Sequence, residues 1–306
     1  MTYHLYCADA FEWMGEQPPE TFHAIVTDPP YGIKEYTKSE IDKMRKGRGG
    51  VWRIPPSFDG ATRRPLPRFT VLDDEDMMRL ESMFERFGRE AARILVPGAH
   101  VIVASNTLLF PHVVVAMKRG GLEFRGAIAR LVRTLRGGDR PKNGHKEFSM
   151  VSSAPRSCWE PWLIFRKPLE GTLVENLRKW GTGGLRRISS DTPFLDVVEA
   201  GRTPAAERAI ADHPSLKPQK LMRFLVRAVL PLQRGVILDP FMGAGSTIAA
   251  AEHLGFESVG VEIDREFFEM AETAIPQLAA LTIPEEESFR GDAGTEAMHV
   301  QAVLDT

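Results

Sequence analysis

Cysteine is scarce in this chain: Cys7 and Cys158 are the only two among 306 residues. They stand far apart, in neither a metal-ligand nor a redox spacing. This argues against a disulfide framework or a zinc module and points to packing residues in a reducing cytoplasm. Long apolar runs are missing as well, so no segment is expected to span a membrane. Met1 to Phe11 lacks the basic start and long apolar core of a secretory leader. His145 has no companions of ligand type, and no metal site is expected. No internal repeat is present. Basic residues thin out at one end, where Glu252 to Thr306 carries two against thirteen acids. The chain is long enough to bury one large domain and a small one.

Two motifs carry the chemistry. Asp28-Pro29-Pro30-Tyr31 follows an apolar run, His23 to Thr27, that reads as a buried strand. An acid and the adjacent backbone carbonyl at a strand's carboxyl end can accept both hydrogens of an exocyclic amine. The tyrosine can stack on the ring, and the prolines fix the backbone that presents these groups. Alone, the tetrapeptide also fits a strand that ends in a proline turn. The second motif runs from Val236 to Thr247: an apolar strand, the turn Gly243-Ala244-Gly245, then a helical segment from Ile248 to Leu254. Strand, glycine turn and helix N-terminus form the nucleotide-cofactor corner of a doubly wound sheet. Ile248 stands where a dinucleotide fingerprint has its third glycine. Glu262, seventeen residues past Gly245, ends a further strand-like run. An acid there suits ribose hydroxyls, whether of NAD or of S-adenosylmethionine.

In this order the motifs resemble the amino-methyltransferases of DNA, in which a D-P-P-Y motif forms the catalytic pocket and an F-x-G-x-G motif binds S-adenosylmethionine. The catalytic motif coming first resembles the beta group, a permuted version of the fold. His213-Pro214-Ser215-Leu216-Lys217-Pro218 ahead of the helical stretch Gln219 to Leu230 matches that group. Tyr6 to Ala10 stands where the family places an acid against the cofactor adenine. The likeness covers 1–170 and 212–280. It implies an α/β fold with a doubly wound, mostly parallel, seven-stranded Rossmann-like sheet. The catalytic domain would comprise 1–170 and 212–283, with a target-recognition insert at 171–211.

The resemblance assigns catalysis to Asp28, Pro29, Pro30 and Tyr31. It draws an S-adenosylmethionine site from Asp9, Ala10, Asp28, His213, Lys217, Asp239, Phe241, Gly243, Gly245, Ser246, Thr247, Glu262 and Asp264. Asp9 would take the adenine amine, Glu262 the ribose and Lys217 the cofactor carboxylate. Backbone amides of Gly243 to Gly245 and the Ser246 or Thr247 hydroxyl would hold the methionine part, with Phe241 packed beside the cofactor. An Asp-first tetrapeptide resembles the adenine-N6 group more often, with cytosine-N4 as the alternative. Duplex DNA is the implied partner, together with a companion restriction endonuclease and a homodimer. Base flipping is implied, with Tyr31 stacking on the extruded base.

The net charge of −2 hides an asymmetry that agrees with DNA as partner. Lys118 to Arg187 holds sixteen Lys and Arg against six acids, and Lys34 to Arg68 holds ten against four. Basic segments flanking a base pocket read as a phosphate-binding surface. Candidate contacts are Lys34, Arg45, Lys46 and Arg48 in the loop 32–70, and Arg136, Arg140, Lys142 and Asn143 in the glycine-rich stretch 134–159. Arg186 and Arg187 belong to a basic, aromatic cluster that begins at Lys179. The acidic, aperiodic segment 284–306 reads as a disordered tail. Asp73 to Leu95 reads as an amphipathic helix capped by Asp73, with Met77, Leu80, Phe84 and Phe87 on its core face. A second helix is expected from Leu108 to Arg119.

Overall fold

A computed structural model describes residues 2–30, 73–132 and 157–283, the short pairs 57–58 and 61–62, and scattered positions between 141 and 155. Tyr31, Lys34, Arg45, Lys46, Arg48, Arg136, Arg140, Lys142 and the segment 284–306 lie outside the described residues.

The apolar runs become the strands of one sheet. Its centre holds β2 (Phe22–Thr27), flanked by β5 (Leu95–Ala104) on one side and β9 (Val236–Asp239) on the other. These strands are buried on both faces, which is why they read as continuous rather than alternating apolar runs. Beyond β9 lie β10 (Glu257–Glu262) and the edge strand β1 (Tyr3–Cys7). Every pairing from β1 to β5 is parallel. On the other flank β7 (Trp159–Arg166) is antiparallel to both β5 and β6 (Glu123–Leu131). The last strand, β8 (Val197–Glu199), pairs parallel to β6. A two-stranded pair, β3 (Ser57–Phe58) and β4 (Ala61–Thr62), is separate.

The sheet therefore has eight strands where seven were expected. The additional one, β8, comes from the 171–211 segment. It is three residues long, too short to show a period of its own.

Helices cover both faces. On one face α1 (Ala10–Glu16), α2 (Asp74–Ile94) and α3 (Phe110–Arg119) bury Met14, Phe84, Phe87, Ile94 and Met117 against Val101, Val103, Leu163 and Phe165. The α2 start is fixed by a capping box: the Asp73 carboxylate accepts from Asp76 N–H at 2.9 Å, and the Asp76 carboxylate accepts from Asp73 N–H at 3.2 Å. The segment 171–211 also supplies α4 (Leu173–Trp180) and α5 (Ala205–Ile210). On the second face α6 (Gln219–Val229) and α7 (Ser246–Leu254) pack over Val26, Ile102, Trp162 and Ile237. Each fully buried Phe or Leu of these layers contributes about 1.5–3 kcal/mol.

A last helix, α8 (Arg265–Ala279), was not foreseen. It buries Ala271, Ala274, Ile275 and Leu278, an i, i+3, i+4, i+7 stripe made partly of alanine and diluted by the acids around it. One further expectation is corrected: Cys7 and Cys158 are both free and exposed rather than packed.

Candidate active site

The parallel register sets Ala24 beside Ile237 and Ile25 beside Leu238, so the carboxyl ends of β2 and β9 meet across a gap of some two hundred residues of sequence. Ligands of open α/β sheets bind at such an edge. Here the strands are tied by side chains. Thr27 Oγ1 donates to Asp239 Oδ1 at 2.6 Å, and Thr247 Oγ1, in the first turn of α7, donates to the Val26 carbonyl at 3.2 Å. Phe241 N–H donates to the same Asp239 oxygen at 3.2 Å. Burial outweighs these bonds and pushes the Asp239 carboxyl up to about 6, with the nearby Asp28 charge adding to the rise.

Asp28 follows directly on β2, with Pro29 buried behind it and Pro30 exposed. Its carboxylate is ion-paired with Lys217 Nζ. The same ammonium lies 3.8 Å from Glu160 Oε1 and 6.0 Å from the centre of the Trp162 ring. Glu160 Oε2 in turn accepts from Arg130 at 2.9 Å and from Trp162 Nε1 at 2.9 Å. Burial disfavours charge on both Lys217 and Glu160, but their opposite partners win. Lys217 is held above the ordinary lysine range by Asp28 and Glu160, and Glu160 below the carboxylate range by Lys217 and Arg130.

Beside this pair opens a cleft lined by Asp28, His213, Lys217, Phe241, Gly243 and Ser246 among others. The turn beside it favours glycine at two points, Gly243 in the cleft lining and Gly245 against α8. Gly243 (φ +52°) would place a Cβ 2.9 Å from the His213 ring, and Gly245 (φ +81°) one 2.4 Å from Ile275. Gly245 caps α7 without a side-chain bond, which leaves the helix N-terminal amides turned toward the cleft. The Glu262 carboxylate accepts from Gly243 N–H at 2.9 Å and from Asp264 N–H at 2.8 Å, one bond on each oxygen. Each oxygen keeps capacity for a second donor. Phe241 meets Phe11 and Phe87 edge-on, with ring centres 6.0 and 5.6 Å away. Burial, then the Lys217 charge, push His213 down to about 4 against the pull of Asp264. The ring is therefore neutral, and since Nδ1 faces Ser215 N–H at 3.2 Å its proton sits on Nε2.

Several expected residues have partners within the protein. Lys217 engages Asp28. Asp9 caps α1, accepting from Phe11 N–H at 2.8 Å and Glu12 N–H at 3.0 Å. Asp264 caps α8 in the same way, at 2.8 Å from Glu266 N–H and 3.2 Å from Phe267 N–H. Ala10 is buried in the first turn of α1. Asp9 still stands at the cleft's edge of the sheet, because Ala8 N–H donates to the Glu262 carbonyl at 3.0 Å. Glu160, Arg130 and Trp162 were missed as site residues. The signal was a glutamate set inside the apolar run Trp159 to Phe165.

The expected DNA contacts divide. Arg186 is 9 % exposed and backs onto α6, its backbone N–H donating to the Ala228 carbonyl at 2.8 Å. Arg187 is exposed, with Nε donating to the Ser190 carbonyl at 3.1 Å. Asn143 is exposed in a turn, at φ +64°. The Lys179–Trp180 cluster lies at the edge opposite Asp28. There Asn176 Nδ2 donates to the Pro97 carbonyl at 3.0 Å, near the amino end of β5, and Lys179 pairs with Glu170 at 2.5 Å. Among the described residues no metal-ligand cluster is found, and no helix is long and apolar enough to cross a membrane.

Residues 22–273 match the DNA methylase family of N6 and N4 methyltransferases. The Type II methyltransferase M.HindIII of Haemophilus influenzae is 25% identical over 290 residues, covering 87% of this chain and 93% of its own. Among solved structures, the M1.HpyAVI–SAM complex aligns with a TM-score of 0.56 at 17% identity, over 89% of this chain and 98% of its own. The PvuII DNA methyltransferase, described as cytosine-N4-specific, aligns with a TM-score of 0.58 at 12% identity, over 94% and 90%. The last two likenesses are of fold. The family match runs unbroken from β2 through the Asp28 motif and the glycine cleft into α8, and the chain belongs to the DNA methylase family.

Proposed function

We propose that this chain transfers a methyl group from S-adenosylmethionine to the exocyclic amine of a flipped base in duplex DNA, with N6 of adenine as the target. The observation that carries this reading is the joining of β2 to β9, which sets the Asp28 acceptor beside the glycine cleft. The cleft's own chemistry fits the cofactor. Asp239, buried and pushed up to about 6, is a carboxylate that gains from a cation such as the amino-acid ammonium. The α7 N-terminus, which has no side-chain cap, and the cleft lining at Gly243 suit a carboxylate brought close to backbone. Glu262 retains acceptor capacity for ribose hydroxyls. When bound, the cofactor supplies a methyl group on a sulfonium centre.

The remaining chemistry falls to the protein. The target amine is a poor nucleophile, because its lone pair is delocalised into the ring. Asp28 and the Pro29 carbonyl accept its hydrogens and favour a tetrahedral nitrogen whose lone pair faces the methyl. The nitrogen would take the methyl as its bond to the sulfonium sulfur breaks, leaving a neutral thioether, and would pass its now strongly acidic proton to Asp28 or to water. Asp28 therefore has no need to be a strong base beforehand. Orientation and fixed acceptors supply the rate, on the scale of roughly 10²–10³ for a single preorganised hydrogen-bonding group. A base inside a duplex cannot reach this edge, so it must leave the stack.

Adenine is favoured by the resemblance of an Asp-first tetrapeptide to the adenine group. The cytosine N4 amine offers the same two hydrogens and is the alternative. A companion restriction endonuclease belongs to this reading and is supported by the Type II designation of relatives. The test is expression in a methylation-free host with every modified base mapped. N6-methyladenine at one defined site is expected. N4-methylcytosine would shift the reading to the alternative, and unmodified DNA would overturn it.

A further inference from the structure

The Asp28–Lys217 pair poses a problem for the reading above, on which this inference rests. A carboxylate held by a buried ammonium is a poor acceptor for a neutral amine, yet Asp28 must take that amine when a base arrives. Lys217 cannot simply withdraw, since a half-buried ammonium without a partner is strongly unfavourable. The geometry supplies a second partner. Glu160 Oε1 is 3.8 Å from Nζ, so a movement of roughly 1 Å brings it to hydrogen-bond distance. Glu160 is built to receive it. Its other oxygen is occupied by Arg130 and Trp162 Nε1, each at 2.9 Å. Arg130 is anchored in turn, its Nε donating to the Ala200 carbonyl at 2.8 Å and its second amino group to the Gly201 carbonyl at 2.5 Å.

We propose that Lys217 is a two-position gate. It sits on Asp28 while the base pocket is empty and moves to Glu160 when the target amine binds. Glu160 is a positioning residue: it touches neither base nor cofactor in this scheme and acts through Lys217. The ammonium stays paired in both positions, so Asp28 gives up this ion pair without leaving a lone buried charge.

Glu160→Gln tests this, because Gln can still accept from Arg130 and Trp162 while the charge that draws Lys217 is removed. The full-length chain is titrated with a duplex carrying the site the wild type methylates, and with the same duplex abasic at the target. The expected result is about tenfold weaker capture of the base-containing duplex, the scale of one charge-assisted hydrogen bond. Capture is read as the affinity lost by the base-containing duplex relative to the abasic one, and as a raised KM for DNA. Binding of the abasic duplex and of S-adenosylmethionine should change less than about twofold. In a Lys217→Gln background, Glu160→Gln should add nothing further. Equal loss on both duplexes would show a structural role and overturn the gate, as would no loss on either, or a full Glu160→Gln effect in the Lys217→Gln chain. If the wild type transfers no methyl group to any DNA, the underlying reading fails instead, and the gate with it.

Discussion

Asp239 is only 3 % exposed, and its carboxyl is pushed from 3.8 to about 6. An acid whose folded value exceeds its unfolded value favours the fold when protonated. The benefit is complete below the unfolded value of 3.8 and is lost as pH rises through about 6. Above that the ionised side chain opposes folding. At about 1.36 kcal/mol for each tenfold change in proton affinity, this amounts to roughly 3 kcal/mol. Asp239→Asn removes the charge and keeps the network. Its Oδ1 can accept from the Thr27 hydroxyl and Phe241 N–H, and its Nδ2 can donate to Thr247 Oγ1, whose own hydrogen goes to the Val26 carbonyl. Urea melts of both chains should show the Asn variant about 3 kcal/mol more stable at pH 8, and thermal melts a Tm higher by about 5 °C. The advantage should shrink steadily between about pH 6 and pH 4. S-adenosylmethionine should stabilise the wild type and not the variant, the trade-off of a carboxylate kept for binding. An Asn variant no more stable at pH 8, or equally favoured at pH 4, would refute the reasoning.

Other substitutions probe the surroundings. Gly245→Ala must fit a Cβ 2.4 Å from Ile275 at φ +81° and should cost about 1–3 kcal/mol by denaturant titration, with cofactor affinity falling in parallel. His213, pushed down to about 4, should show no titration between about pH 5.5 and 8 when its ring protons are followed by NMR. Lys179→Ala and Trp180→Ala lie at the far edge of the sheet and should leave the methylated site and KM for DNA unchanged, within about twofold.

Much of the fold was legible because its signals are local. The apolar runs at β2, β5 and β9, the Asp73 cap and the Leu80–Phe84–Phe87 stripe each declare an element within a few residues. The pairing of β2 with β9 is not local, and only the order of the motifs hinted at it. β8 was hidden because three residues carry no period, and α8 because half its buried stripe is alanine. The site divides along the same line. Asp28, Asp239 and the glycines stand in recognisable strings. Glu160 and Arg130 matter only through contacts made across the sheet, with Glu160 on β7 meeting Lys217 at 3.8 Å. Arg186 shows the converse: a basic cluster in sequence does not say which of its side chains is buried.

The account stands most directly on Asp28. Transfer of labelled methyl from S-adenosylmethionine to DNA should be measured for the wild type and for Asp28→Ala, with cofactor binding followed by calorimetry on the same preparations. The wild type should label DNA. The variant should bind the cofactor within a few-fold of the wild type and lose transfer by about 10² or more. Transfer at the wild-type rate by a folded Asp28→Ala chain would contradict the account.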